Sequence, residues 1–357
     1  MAKRAKRSAR NAANATKNFV KWLPRATKHF FQELPPTTRR IQPWASTFKG
    51  GLTLLILLIS FGFPILTGNL YYLGIFVTAD IFVIFAASWD LLAGFAGQSS
   101  FGHAAFLGIA GYAAAALSRY YAQPWWVSML LGAIVAVLLG LIIGIPCLRL
   151  RGPYFALGTL AFTLILGEIF RSVYFTPWLG GSGGVSGVSP ISPDPVIEYL
   201  VILFLMIVSV LTMIAIGNSR VGTVFKAIRD DEISAEASGI NTTKYKLVAF
   251  MASAFFAGIA GSIFAFHFSG VSPEMYSTLY SFYAIVMATL GGIATIFGSV
   301  GGAYFFIFLA EFLRGFGDVT YLVFAIVLII VMRFASSGAV RPLLDRVKEL
   351  WDLLRGK

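Results

Sequence analysis

Charge is scarce in this chain, since only 12% of its 357 residues are Asp, Glu, Lys or Arg. A water-soluble globule carries about twice that fraction, so a soluble domain is excluded. Cysteine is nearly absent. The single Cys147 lies within an apolar run, which rules out a disulfide framework and a thiolate metal site and leaves the redox compartment unread. The three histidines, one of them in a basic leader, are too few and too scattered for a histidine-rich metal site. No GxxxxGK[ST] phosphate loop occurs, so the chain has no ordinary ATP cradle of its own. No HExxH, GxSxG or paired-carboxylate constellation stands out within an apolar run, which argues against an intramembrane enzyme. Neither a metal nor a cofactor bound by this chain is expected.

What the chain has is apolar length. Hydrophobic residues make up 57% of it and the mean hydropathy is +0.79. Runs such as GLTLLILLISFGFPIL, WWVSMLLGAIVAVLLGLIIGIPCL and VIEYLVILFLMIVSVLTMIAIG approach the roughly 17–25 residues that cross a bilayer core as a helix. The expected fold class is an all-α, polytopic helical membrane protein with about ten spans. They are placed at 51–67, 71–92, 101–119, 125–147, 153–175, 196–217, 245–268, 277–291, 299–316 and 320–334.

The net charge of +12 is not a nucleic-acid patch. Residues 1–49 hold +11 of it, and the rest of the chain holds +1. Within that leader, KNFVKWLPRATKHFFQEL mixes Phe19, Trp22, Phe30, Phe31 and Leu34 with bases. Such a segment is an interfacial helix on anionic membrane lipid or a disordered basic tail that obeys the positive-inside rule. It is not a cleavable signal peptide, because the first apolar run starts only at Gly51 and many more follow. With the leader in the cytoplasm, Arg149, Arg151, the block 218–246 and the tail 336–357 share its side, while Arg119, Arg171 and Arg314 lie opposite. The expected topology is N-in, C-in. The domains are then the leader 1–49, a transmembrane body 50–335 and an amphipathic cytoplasmic tail 336–357.

The largest cytoplasmic loop, 218–243, reads as two short helices. Phe225 and Ile228 belong to an apolar stripe, Arg229, Asp230, Asp231 and Glu232 form a charged turn, and Gly239 stops the second helix after Glu236. Too polar to insert, the pair is shaped to dock into something soluble, or else it is an ordinary solvated loop. Two glycine-rich breaks, AGFAGQSSFGHAAF and TLGGIATIFGSVGGAYF, fall on the same side. Unwound backbone at membrane depth is tolerated only against protein or a water-filled path. Gly97, Gln98, Ser99, Gly102 and His103 in the first break, with Gly291 and Gly292 in the second, are therefore the translocation-path candidates. The alternatives are easier helix packing at the glycines and a satisfied packing residue at His103. Matching breaks in the two halves suggest an internal duplication. Asp80, Glu168, Glu311, His267 and, at a span end, Asp90 are further ionisable residues in apolar surroundings.

Three long stretches carry a family resemblance: DLLAGFAGQSSFGHAAFLGIAGYAAAAL from Asp90, RLRGPYFALGTLAFTLILGEIFR from Arg149, and AIRDDEISAEASGINTTKYKLVAFMASAFFAGIAGSIFA from Ala227. In this order they resemble the branched-chain amino acid permeases of ABC importers, of the LivM type, across about residues 70–335. The loop 218–243 resembles the cytoplasmic loop by which importer permeases plug into an ATPase, although Gly239 follows Glu236-Ala237-Ser238 sooner than the general pattern has it. The resemblance implies a second homologous permease as heterodimer partner, two cytoplasmic ABC ATPase subunits that use the ATP, and an extracytoplasmic substrate-binding protein. It implies leucine, isoleucine or valine as cargo and a bacterial cytoplasmic (inner) membrane location. A urea or amide permease is the rival within that fold, and an ion-coupled secondary transporter or a membrane scaffold the rivals outside it.

Overall fold

Helix boundaries follow from caps at the ends of apolar runs. In the computed structural model, which describes residues 68–150 and 152–314 with positions 62, 326 and 329, ten labelled helices run in order. Helix α1 is Leu70–Asp90, and Asn69 Oδ1 caps it by accepting the Tyr71 N–H at 2.9 Å. A wider π-type turn, Leu91–Phe95, carries it on. Then come α2 (Ala104–Tyr121), α3 (Trp125–Cys147) and α4 (Pro153–Arg171), the last with proline in its first turn. Helix α5 (Pro195–Asn218) is capped by Asp194, which accepts the Val196 N–H. The short α6 (Arg220–Asp230) and α7 (Glu232–Ala237) precede α8 (Thr242–His267), α9 (Thr278–Gly291) and α10 (Ile296–Leu313).

Expected spans two to nine thus correspond to α1–α5 and α8–α10. Among the described residues six helices are long and apolar enough to cross a membrane: Leu70–Phe95, α3, α4, α5, α8 and α10. Helix α2, with Arg119 in its last turn, and the 14-residue α9 fall short of that measure. The all-α, multi-pass class holds, whereas the count of ten spans is not reached among these residues. The leader 1–49 and the tail 336–357 lie outside the described residues, and so do the expected spans 51–67 and 320–334 apart from isolated positions. One feature had no counterpart in the sequence pattern: β1 (Val185–Ser186) pairs antiparallel with β2 (Gly270–Val271), Val185 opposite Val271.

Every residue from Ala79 to Ala96 is buried, so α1 and its π-type turn run through the middle of the protein. Helix α8 packs on it and on α2 and α3 through small residues. A Cβ on Gly258 would meet Ala133 and Ala136, and one on Gly261 would strike the Leu107 carbonyl. Close backbone approach of this kind replaces the hydrophobic drive that lipid cannot supply between helices. Polar side chains then tie helix to helix: Ser253 Oγ donates to the Ser88 carbonyl at 2.7 Å, and Tyr304 Oη donates to Asp80 across α1 and α10.

Antiparallel stacking gathers the loops at two ends. At one end Arg171 pairs with Glu168 (3.0 Å) and Glu274 (2.9 Å), His267 lies 3.3 Å from Glu198, and Arg119 donates to the Ser186 carbonyl. At the other, the segments 91–103, 218–246 and 291–296 meet. Outward faces of α3 and α5, with Leu130, Ile134, Leu138 and Ile142 on one and Phe204, Val208 and Leu211 on the other, remain exposed and apolar, as surfaces that meet lipid tails would.

A Cβ at Gly302 of α10 would fall inside contact distance of the Met287 carbonyl and of the Gly291 backbone, whereas one at Gly74 meets nothing within 4 Å. Gly302→Ala should therefore lower the melting temperature in detergent, with an overpacking cost of about 1–3 kcal/mol. Gly74→Ala should leave it level or raise it, by up to about 1 kcal/mol of helix propensity. Thermal unfolding of the two variants beside the parent checks this, and equal effects would show that α9 and α10 do not pack as described.

Candidate functional site

The first break, residues 97–103, contains no helix yet leaves little backbone unmet. Trp89 Nε1 donates to the Ser100 carbonyl at 2.7 Å, and the Phe101 N–H donates to Thr159 Oγ1 at 3.1 Å. Thr163 Oγ1 donates to the Gly102 carbonyl at 3.0 Å, while the Ala104 N–H reaches Ser281 Oγ at 3.0 Å. Side chains from α1, α4 and α9 thus replace the missing helical bonds. In a medium without water that substitution removes a cost of several kcal/mol per unmet group.

The second break, Gly292–Thr295, is held by the end of α1. Asp90 Oδ1 accepts the Ala294 N–H at 2.7 Å, and Ala294 sits at φ +65°, a left-handed conformation that alanine rarely adopts. Only glycine fits at position 94, because a Cβ there would collide with Asp90 Oδ1 and the Ala294 backbone. Thr295 Oγ1 closes the turn on the Gly292 carbonyl at 2.6 Å.

The charged loop sits on the end of α1, where the first break begins. Ser219 caps α6 and Asp231 caps α7, the latter by accepting the Ile233 and Ser234 N–H groups at 2.9 and 3.2 Å. The Ser234 hydroxyl at 2.6 Å from its other oxygen, with those amides, holds the exposed Asp231 carboxyl below the usual carboxylate range. Arg229 Nη1 donates to the Gly94 carbonyl at 2.8 Å, one of the acceptors freed where the helix ends, and its remaining nitrogens hold Asp230 at 2.8 and 2.9 Å. A cation at a helix C-terminus also suits the helix dipole. Lys226 Nζ lies 5.3 Å from the centre of the Phe95 ring. Behind the loop the buried Lys246 of α8 bonds Glu232 at 2.5 Å, and Thr242 bonds Glu236 at 2.6 Å.

The expected site residues fall in distinct surroundings. Phe225 and Ile228 are buried within the chain itself, so the apolar stripe seats α6 on the membrane body. The outward surface consists of Asp230, Ile233, Ser234, Glu236 and Gly239, and Ile233 is 76% exposed. Glu232, expected in a solvated turn, is an ion-pair partner of a buried lysine. Among the path candidates, Gly97 and Ser99 are exposed and Gln98 half-buried, with Gly97 against Arg229 of α6. Gly102, His103, Gly291 and Gly292 are buried and line no open surface here. A Cβ on Gly102 would strike the Thr159 carbonyl, and one on Gly291 the Gly298 carbonyl, so both glycines serve close packing. His103 Nε2 lies 2.8 Å from Ser88 Oγ, its ring lies between Phe85 and Phe106, and its buried Nδ1 has no hydrogen-bond partner. Sequence reasoning assigned nothing to Gly94, Thr159, Thr163 and Ser281. Threonines four apart in an otherwise apolar helix were the available signal.

A family model described as branched-chain amino acid transport system / permease component matches residues 71–332. The chain is 27% identical over 318 residues to the high-affinity branched-chain amino acid transport system permease protein LivM of Salmonella typhimurium, covering 80% of this chain and 73% of that protein. The LivM protein of Escherichia coli matches at the same identity and coverage. No solved structure matches the chain.

Glu232→Lys should loosen the loop, because it sets a second ammonium against buried Lys246, and the exchange Glu232→Lys with Lys246→Glu should recover part of the loss. Limited proteolysis of the loop in detergent reads both, and equal cleavage of single and double variants would show that the pair does not hold it. The Asp231 cap has a definite pH sign. Its carboxyl is depressed in the folded chain, so the cap's contribution is present above the ordinary value, about 4, and is lost as pH falls through the lower folded value. Amide exchange at Ile233 and Ser234 should accelerate there, and Asp231→Asn should flatten that response.

Proposed function

The chain belongs to the branched-chain amino acid transport system permease family, and on that premise we propose that it forms half of a translocation path for leucine, isoleucine and valine, powered from outside itself. It is a membrane permease subunit of an ABC importer, a transport component. The finer assignments are a second homologous permease across the path, two ATPase subunits beneath the loop 218–243, and a soluble binding protein at the far side of a bacterial cytoplasmic membrane. The internal duplication, the three-domain division and the N-in, C-in topology belong to the same proposal.

One observation carries it: a polar two-helix loop is clamped through Arg229 and Lys226 onto the π-type turn that leads into the first helix break, at one end of the membrane body. A scaffold has no use for such a contact, and a carrier that runs alone on an ion gradient has no use for a docking loop. The end that bears the loop also holds Arg149, Arg220, Lys226, Arg229, Lys244 and Lys246, against Arg119, Arg171 and Arg314 at the other. That asymmetry supports a cytoplasmic loop. An open groove along Glu236, Gly239, Asn241 and Thr243, next to exposed Ile233, offers an ATPase both polar and apolar contacts.

Hydrolysis in the partner subunits would pull or push α6. Since α6 grips the end of α1, work would enter the membrane body where the helices are already interrupted and a bend meets least resistance. Selection of a small apolar side chain by packing alone discriminates only by about 1–3 kcal/mol per methylene, so related aliphatic amino acids should share the route.

Vesicles holding the chain with its partner permease, ATPases and binding protein should take up leucine only with ATP inside, and isoleucine and valine should compete while urea does not. Urea uptake that leucine leaves unaffected would overturn the cargo. Leucine uptake driven by an ion gradient without the ATPases would overturn the coupling.

A further inference from the structure

The loop, the first break and the second break form a continuous series of specific bonds. Asp230 holds Arg229, Arg229 holds the Gly94 carbonyl, Gly94 belongs to the π-type turn that begins after Asp90, and Asp90 holds the Ala294 N–H. Ala294 connects α9 to α10, 204 residues from Asp90 along the chain. No regular hydrogen-bond ladder requires any of these contacts. Arg229 is an exposed residue that spends one nitrogen on a carbonyl 135 residues away, and Asp90 is an acid buried where an apolar residue would cost less. Ala294 is kept at a positive φ, a strain that persists only where neighbouring bonds over-determine it.

Resting on the permease function above, we propose that Arg229 and Asp90 are positioning residues that lock the two helix breaks into one mechanical unit, so that a movement of α6 shifts both together. The π-type turn supplies the give. A turn wider than the α-helix leaves carbonyls free to exchange partners, and such turns recur at sites where helices change shape. Three contacts on α6 face the first break: Lys226 on Phe95, Arg229 on Gly94, and the Arg229 backbone 3.1 Å from where a Gly97 Cβ would lie. Helix α6 thus grips the π-type turn and Gly97, and the end of α1 holds the second break through the hydrogen bond from the Ala294 N–H to Asp90. Cutting either bond would let the ATPases turn over while one break lags.

The test is the amount of ATP hydrolysed per leucine moved, measured in vesicles with the full complex. Asp90→Ala and Arg229→Gln should each raise that ratio about tenfold, within the range usual for coupling between sites. Asp90→Asn, whose amide oxygen still accepts the Ala294 N–H, should stay within about threefold of the parent. Because the bonds act in series, Asp90→Ala with Arg229→Gln should be no worse than the worse single variant. A parent ratio in Arg229→Gln, or effects that multiply in the double variant, would overturn the lock. So would Asp90→Asn behaving like Asp90→Ala in an assembled complex. If Asp90→Ala does not assemble, the comparison of Arg229→Gln with Asp90→Asn still decides. A parent complex that moves no leucine at all would instead overturn the functional assignment, which keeps the two failures apart.

Discussion

A membrane offers no water to an interrupted helix, so every N–H and C=O released at a break must be met by protein. In this chain that constraint is satisfied at the end of α1. Trp89, Thr159, Thr163 and Ser281 take the groups released in the first break, and Asp90 takes one from the second. Four helices are thereby registered against one short segment. The burial of α1, the glycines of α9 and α10, and the seat of the charged loop all depend on where that segment lies.

The loop illustrates how charge is used sparingly in such a setting. Its bases and acids are not a diffuse solvated patch. Lys246 is buried and pairs with Glu232, Arg229 divides itself between Asp230 and a backbone carbonyl, and Asp231 caps a helix. An exposed ion pair such as Arg229 with Asp230 contributes about 0–1 kcal/mol, so it does not hold the fold alone. What they confer is orientation: each fixes one edge of a helix pair too short to be stable by itself. Ile233 and the groove beside Glu236 are left outward.

Much of this was legible before the structure. Apolar length placed eight helices within a few residues, because burial in a bilayer imposes one unambiguous signal. The glycine runs located both breaks, and the charged block located the loop. What stayed hidden was pairing. Nothing local tells that Asp90 reaches Ala294 or that Thr163 reaches Gly102, since such bonds are set by the stacking of helices far apart in sequence. The side to which Phe225 and Ile228 turn was hidden for a related reason: an apolar stripe on a short helix fits a partner or its own chain equally well, and here its own chain covers it. Polar residues within apolar runs were the most informative clue. Asp90, Thr159 and Thr163 stand out by type alone, and each proves to bind backbone.

The central claim is that loop and breaks move as one body during transport. Spin labels at Ile233 and Ile293, both exposed, and at Tyr174 on the opposite end report it directly in the assembled complex, with native Cys147 buried. On adding ATP, the distance from Ile233 to Ile293 should stay constant while both distances to Tyr174 change. A loop label that moves relative to Ile293, with Ile293 fixed relative to Tyr174, would contradict the account.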